Sequence, residues 1–145
     1  MTTIFYFSNQ PSDVSGKTSG DLAKKILQTT GALENSSEEE QENLIYNFDG
    51  TLRKIAHYTI YTVGGILILL FFNTYDNIST KKKVLFSQTF GTLYATSDEI
   101  HQIFIEGRAC MWQDVALDSI GIATGIAIFI LIIKLFIKIK AWKIK

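Results

Sequence analysis

The residues best equipped for chemistry lie together in one stretch of the sequence, from Tyr94 to Arg108. This stretch carries carboxylates, an imidazole and a guanidinium, and it ends an apolar run that is long enough to enter a membrane. An ionisable side chain at membrane depth costs about 2.5–3.5 kcal/mol on insertion scales, so such groups are usually paired and directed into the protein. We therefore expect the function to centre on this stretch, with other segments supplying its partners.

Three segments carry polar and small side chains three or four residues apart, a spacing that places them on one face of a helix. In chain order these faces contain Arg53, His57 and Tyr61, continuing to Gly64 or Gly65; Ser87, Gly91, Tyr94, Asp98 and His101; and Asp114, Asp118, Gly121 and Gly125. Each face becomes charged toward the same side of the membrane. We therefore predict one polar cluster, formed by Arg53, His57, Asp98, Glu99, His101, Arg108, Asp114 and Asp118.

Glycines occupy the other ends of these faces. Small residues let membrane helices approach closely, and Gly121-x-x-x-Gly125 has the spacing that is typical of such contacts. We therefore expect Gly91, Gly121 and Gly125 to lie at helix–helix contacts.

The residue types of the cluster permit two interpretations without a metal. One is a buried network of ion pairs that holds the helices together, because isolated charges at such depth need compensation. The other is a polar pocket that binds the head group of a lipid or of a lipid-linked molecule. Arg53, Lys54 and Arg108 would suit a phosphate in such a pocket.

A third interpretation is metal-assisted hydrolysis. His57 and His101 could supply nitrogen ligands, and oxygen ligands could come from Asp98, Glu99 or Asp118. The sequence contains no His-Glu-x-x-His motif, no cysteine pair, no Gly-x-Ser-x-Gly elbow and no phosphate loop. We therefore assign no catalytic residue and predict no bound metal or cofactor.

The charge distribution differs between the two parts of the chain. Residues 1–50 carry eight acids against three lysines, whereas residues 51–145 carry eleven bases against six acids. Such a split is common in chains with parts on both sides of a membrane. The neutral total lacks the concentrated basic face that nucleic-acid binding requires. Cys110 is the only cysteine, which excludes an intrachain disulfide.

Apolar segments predict an all-α fold, an integral membrane helical bundle formed by a single domain over residues 1–145. The predicted transmembrane spans are 55–72, 84–105 and 115–133, and the second is the least apolar of the three. Tyr58 and Tyr61 are expected at the membrane interface. Residues 134–145 form a lysine-rich tail.

Lysine placement predicts the orientation in the membrane. Lys81, Lys82 and Lys83 and the five lysines of the tail should be cytoplasmic. Two spans separate the two lysine groups, so both can lie on one side, with the carboxyl terminus cytoplasmic. Residues 1–50 and the polar cluster are then extracytoplasmic. Because an external amino-terminal segment needs a preceding span, we expect that a fourth, amino-terminal span is missing.

The amino-terminal segment is predicted to contain a loop and two short amphipathic helices. Residues 8–20 are rich in Ser, Gly and Asn, which favours a loop. Residues 21–28 could form one helix, with Leu22 and Ile26 on one face. Ser36 and Glu39 have the spacing of a capping box for a second helix, which should end near Gly50. A disordered acidic linker is the alternative.

These motifs resemble those of the VanZ-like family of small bacterial membrane proteins. The family has Arg-Lys-x-Ala-His-Phe in one helix, and residues 53–58 read Arg-Lys-Ile-Ala-His-Tyr. It has Tyr-Ala-x-x-Asp-Glu-x-His-Gln-x-Phe at the next helix end, and residues 94–104 match that pattern. A Pro-Gly-Arg loop and Asp-x-x-x-Asp-x-x-Gly-x-x-x-Gly follow in the family. This chain has Glu-Gly-Arg at 106–108 and the full glycine pattern at 114–125.

The resemblance implies a bacterial plasma-membrane protein associated with lowered susceptibility to glycopeptide antibiotics such as teicoplanin. It implies no established reaction and no cofactor. We expect an outward-facing pocket that binds or perturbs an envelope lipid or a lipid-linked cell-wall precursor. The alternatives are a metal-assisted intramembrane hydrolase or transferase that acts on a lipid-linked substrate, and a purely structural membrane helper.

The residues expected in this pocket come from all three spans. They are Arg53, Lys54, His57, Tyr61, Tyr94, Asp98, Glu99, His101, Gln102, Arg108, Asp114 and Asp118. Within the second span, helical spacing directs Asp98 and His101 inward together. Glu99 and Gln102 are expected to point elsewhere, toward a loop or a partner.

Overall fold

In the computed structural model, residues 12–34, 36–105 and 111–143 are described, and all regular structure within them is helical. There are four helices, α1 Ser12–Thr29, α2 Glu38–Asn73, α3 Thr80–Gln102 and α4 Trp112–Lys143. Helices α2, α3 and α4 each pack against the other two, and α1 packs against α2. The all-α fold class is therefore confirmed. The expected fourth span and the Glu-Gly-Arg connection at 106–108 lie outside the described residues.

Helix α1 is longer than the sequence predicts. The loop predicted over 8–20 is wrong where the structure describes it, because the helix already begins at Ser12. Its buried side chains are Ala23 and Leu27, whereas Leu22 of the predicted face is 53% exposed. Burial of this face against α2 outweighs the poor helix propensity of the Ser- and Gly-rich beginning, because tertiary packing supplies most helical stability in proteins.

A capping box starts α2, one residue later than predicted. The Ser37 hydroxyl accepts a hydrogen bond from the backbone N–H of Glu40, and the Glu40 carboxylate accepts one from the N–H of Ser37. Three glutamates in the first turn also face the positive end of the helix dipole. The helix start is therefore fixed by local chemistry.

The prediction that this helix ends near Gly50 is wrong. Helix α2 continues through Gly50 for 36 residues, a length of about 54 Å at 1.5 Å per residue. A single glycine inside a helix costs only about 1 kcal/mol, and α2 is packed against other helices along its length. The polar amino-terminal turns and the apolar span are consequently one rigid rod.

Helices α2 and α4 contact each other through glycines, as predicted. A Cβ atom at Gly125 would overlap the backbone carbonyl of Thr62, and one at Gly121 would lie 2.8 Å from the backbone oxygen of Tyr58. The hydroxyl of Tyr58 also hydrogen-bonds that of Thr124 across the contact, at 2.9 Å. The hydroxyl of Tyr58 is therefore used between helices, and its expected place at the membrane interface stays a prediction.

Helix α3 has an unusual distribution of side chains. Its buried residues are small, polar or charged, namely Lys83, Ser87, Gly91, Ala95, Asp98, Glu99 and Gln102. Beyond the exposed Lys81 and Lys82 of its first turn, its exposed large side chains are apolar, namely Leu85, Phe86, Phe90, Leu93 and Ile100. In a water-soluble helix the apolar face is the buried one, so α3 is amphipathic in the opposite sense.

Two of the described helices, α2 and α4, are long and apolar enough to cross a membrane. Only 22% of the most apolar stretch in each is buried inside the molecule. A core helix of a water-soluble protein would be mostly buried, so this exposure favours a lipid environment. Helices α2 and α4 extend beyond the predicted spans at both ends, and α4 continues through the lysine-rich tail to Lys143. Helix α3 starts before its predicted span but ends earlier, at Gln102.

Candidate functional site

An open cleft of about 580 Å³ lies between α2, the end of α3 and the beginning of α4. It is the natural place to look for a ligand, because cavities of this size can enclose a small molecule or a head group. Its lining combines charged, polar and a few apolar side chains. The lining residues are Tyr46, Asn47, Asp49, Gly50, Thr51, Arg53, Lys54, His57, Glu99, Gln102, Met111, Asp114 and Leu117.

Arg53 lines the cleft but already has two partners. One guanidinium nitrogen donates to the Asp49 carboxylate at 2.7 Å, and Nε donates to the hydroxyl of Ser19 at 3.3 Å. The first contact is an i,i+4 ion pair along α2, and the second ties α1 to α2. The guanidinium therefore holds the helices in place, and less of it remains for a phosphate than the sequence predicts.

Glu99 and Gln102 line the cleft, where the list of expected pocket residues places them. The expectation that helical spacing turns them away from the pocket is wrong. Glu99 is only 1% exposed. Its carboxylate accepts hydrogen bonds from the Gln102 amide at 3.0 Å and from the backbone N–H of Met111 at 3.3 Å. These bonds connect the end of α3 to the beginning of α4. The buried arc of α3 is wider than one line of residues because the helix contacts α2 on one side and α4 on the other.

His57 forms the link between the cleft and the interior. It lines the cleft, with its side chain 32% exposed, and its Nδ1 lies 3.7 Å from Oδ2 of the fully buried Asp118. That separation gives an ionic contact when His57 is protonated and is too long for a direct hydrogen bond. Neither oxygen of Asp118 accepts a hydrogen bond from any described residue. The pairing of the first and third polar faces is thus as predicted.

Tyr61 continues the polar contacts into the bundle. It is 2% exposed, and its hydroxyl donates to Oδ2 of the buried Asp98 at 3.4 Å. Its ring lies 6.4 Å from those of His57 and Tyr94, measured between centroids. Tyr61 therefore lies in the interior of the bundle, and its expected depth at the membrane interface stays a prediction.

The other predicted residues divide between the cleft and its surroundings. Lys54 and Asp114 line the cleft, and neither side chain forms a hydrogen bond with another described residue. Tyr94 and His101 are half-buried and do not line it. Arg108 lies outside the described residues.

Sequence reasoning missed the part of the lining that precedes Arg53. Asp49 is the important member, because its carboxylate is the ion-pair partner of Arg53. The signal was present in the spacing, since an acid four residues before an arginine forms such a pair on a continuous helix. A helix end at Gly50, as the sequence predicts it, places Asp49 and Arg53 in different segments and so hides this pair.

The arrangement offers charges of both signs and hydrogen-bonding groups to a polar ligand. Within the described ranges, no three side chains of the metal-binding types converge on one point. The geometry therefore gives the metal-assisted interpretation no specific support, and we assign no catalytic step to these residues.

Comparison with known proteins identifies the family of the chain. The model of a family described as VanZ/LLP1 matches residues 1–134, which include α1 to α3 and most of α4. No curated protein and no solved structure matches the chain. The matched range contains every cleft residue described above, together with His57, Asp98 and Asp118. The chain therefore belongs to the VanZ/LLP1 family.

Proposed function

We propose that this protein is a three-span plasma-membrane protein that lowers bacterial susceptibility to teicoplanin-type glycopeptides. Its cleft would bind or perturb an envelope lipid or a lipid-linked cell-wall precursor, and this would reduce access of the antibiotic to its target. The observation that carries the proposal is the cleft of about 580 Å³, with its lining of charged side chains, at the polar end of a bundle of apolar helices.

The reversed amphipathicity of α3 supports its assignment as a third span. Its exposed row of apolar side chains, which includes Phe86, Phe90 and Leu93, would contact lipid. Its acids Asp98 and Glu99 are buried within the bundle, as ionisable side chains within membranes usually are. Mean hydropathy underestimates such a helix because its seven buried residues, most of them polar or charged, would not contact lipid.

The distribution of lysines supports an outward-facing cleft. Lys81 and Lys82 begin α3, and Lys134, Lys138 and Lys140 lie in the last turns of α4, at the end of the bundle opposite the cleft. Cytoplasmic segments next to membrane spans carry an excess of lysine and arginine. With this end in the cytoplasm, the cleft opens toward the outer leaflet.

The proposal is tested by measuring teicoplanin susceptibility of a susceptible bacterium that expresses the protein. We expect the wild-type chain to raise the inhibitory concentration, and the cleft variants Lys54→Ala and Asp114→Ala to lose most of that increase. Both side chains line the cleft without a hydrogen bond to another described residue, so their removal should disturb folding little. Asp76→Ala, in the exposed turn between α2 and α3, is the matched control.

Membrane abundance of each variant, measured by immunoblotting, separates the alternatives. Loss of resistance at equal abundance supports a binding cleft, whereas loss of resistance only in proportion to lost protein supports a structural helper. Unchanged resistance in both cleft variants would contradict the proposal. A chemically altered lipid in cells with the wild-type protein, absent from the variants, would instead identify an enzyme.

A further inference from the structure

The charges around the cleft are unequal in number among the described residues. Three carboxylates line it, from Asp49, Glu99 and Asp114, against the two permanent cations Arg53 and Lys54. His57 adds a positive charge only when it is protonated. Among the described residues, the lining is therefore negative when His57 is neutral and balanced when His57 is protonated, whereas a pocket for a phosphate alone calls for a positive lining.

The carboxylates of the lining are also more available to a ligand than its cations. Arg53 is engaged by Asp49 and Ser19, which leaves Lys54 as the cation of the described lining without a hydrogen-bonded partner there. On the acidic side, Asp114 is half-buried and forms no side-chain hydrogen bond with another described residue. Glu99 keeps lone pairs beyond the two bonds it accepts, since an ionised carboxylate has about four acceptor sites.

A further acid lies behind the cleft wall. Asp118 is fully buried, contacts the cleft residue His57 at 3.7 Å, and accepts no hydrogen bond from the described part of the chain. Charges in a low-dielectric interior act over longer distances than in water. The field at the cleft should consequently attract a cation.

We propose that the cleft receives a primary ammonium group, placed beside Asp114 and Glu99, with an attached phosphate directed toward Lys54. This inference rests on the proposed function, since it names the ligand class of the same cleft. A primary ammonium has three N–H donors and matches carboxylate acceptors. Quaternary ammonium ligands are recognised by aromatic cages, whereas the described lining contains a single phenol or indole ring, that of Tyr46.

The inference is tested with purified full-length protein in detergent, titrated with three short-chain lipids and followed by native mass spectrometry. Dihexanoyl phosphatidylethanolamine has a primary ammonium, the phosphatidylcholine analogue has a quaternary one, and phosphatidylglycerol has none. We expect phosphatidylethanolamine to bind at least about tenfold more tightly than either, a difference of about 1.4 kcal/mol. Equal binding of the three lipids, or preference for phosphatidylglycerol, overturns the inference even if no variant folds.

Substitutions locate the ammonium within the cleft. Asp114→Asn should reduce phosphatidylethanolamine binding to the level of phosphatidylglycerol, Asp114→Glu should retain the preference, and the distant Asp76→Asn should leave it unchanged. An undiminished preference in Asp114→Asn would contradict the assignment. Competition by O-phosphoethanolamine supports recognition of the head group alone, and lipid binding without such competition supports a ligand that also needs its acyl chains.

Comparison with the susceptibility test separates the two claims. If Asp114→Asn loses the ammonium preference but still confers wild-type resistance, the ligand class stands and the resistance role of the cleft fails. If the wild-type protein shows no ammonium preference while the cleft variants lose resistance, the resistance role stands and the ligand class fails.

Discussion

Among single residues, Asp118 illustrates the electrostatic cost of a buried carboxylate in the bundle. It is fully buried, and its closest ionic neighbour among the described residues is His57, at 3.7 Å. Removing one partner of a buried pair is costly because the remaining charge stays buried. Since His57 is partly exposed and Asp118 is not, the two single substitutions should have unequal effects.

We therefore predict a double-mutant cycle with clear coupling. His57→Ala should lower the free energy of unfolding by about 1–3 kcal/mol, because it leaves the Asp118 carboxylate unpaired. Asp118→Asn should cost less, and the double variant should be more stable than the sum of the single effects predicts. Unfolding of purified protein in mixed micelles with increasing denaturing detergent measures all four proteins. Strictly additive effects would show that the two side chains do not interact.

For single residues of the site, sequence patterns predict some positions and miss others. Spacing alone predicts that His57, Tyr61, Asp98 and Asp118 lie together, because a buried helix face repeats every three or four residues. It does not predict the position of Glu99, which depends on how wide an arc its helix buries. That width is set by two neighbouring helices, which a pattern within one segment does not contain.

Among the elements, the contact between α2 and α4 is the part of the fold that the sequence predicts best. Gly121 and Gly125 lie against the backbone of α2 at Tyr58 and Thr62, as their spacing indicates. Helix ends are predicted less well. Gly50 does not end α2, since the cost of one glycine is small beside the packing of a helix of 36 residues.

A matched pair of glycine substitutions tests the importance of this contact. Gly125→Ala should destabilise the protein by about 1–3 kcal/mol, because its Cβ overlaps the backbone carbonyl of Thr62 and overpacking forces the helices apart. Gly64→Ala, whose Cβ meets nothing within 4 Å, should be neutral or stabilising by up to about 1 kcal/mol, as alanine is the better helix former. The detergent unfolding assay compares both. Equal effects at the two positions would show that the close approach contributes nothing.

Across the whole molecule, the number of spans decides which surfaces can share a compartment. Helices α2 and α4 pass the length and hydropathy criteria, whereas α3 does not. If α3 crosses the membrane, three spans separate the start of α2 from the end of α4, so these two points lie on opposite sides. If it does not, two spans bring the start of α2 and the end of α4 to the same side. An odd or even number of spans, which we call the parity, thus distinguishes the two arrangements without any knowledge of function.

Single-cysteine labelling reads this parity directly. In a Cys110→Ser background, we introduce Tyr46→Cys near the cleft, Asp76→Cys in the turn after α2, and Trp142→Cys in the last turn of α4. All three positions are exposed, with Tyr46 and Trp142 each at 79%. A membrane-impermeant maleimide applied to intact cells should label position 46 and spare positions 76 and 142, and permeabilised cells should be labelled at all three.

This pattern follows from three spans with the lysine-rich end in the cytoplasm. Labelling at 46 and 142 but not at 76 in intact cells would indicate two spans, and the exposed apolar face of α3 would then need a partner other than lipid. Labelling at 76 and 142 but not at 46 would keep three spans and reverse the orientation. In that case the cleft would open toward the cytoplasm, where it could not act on an extracellular glycopeptide target.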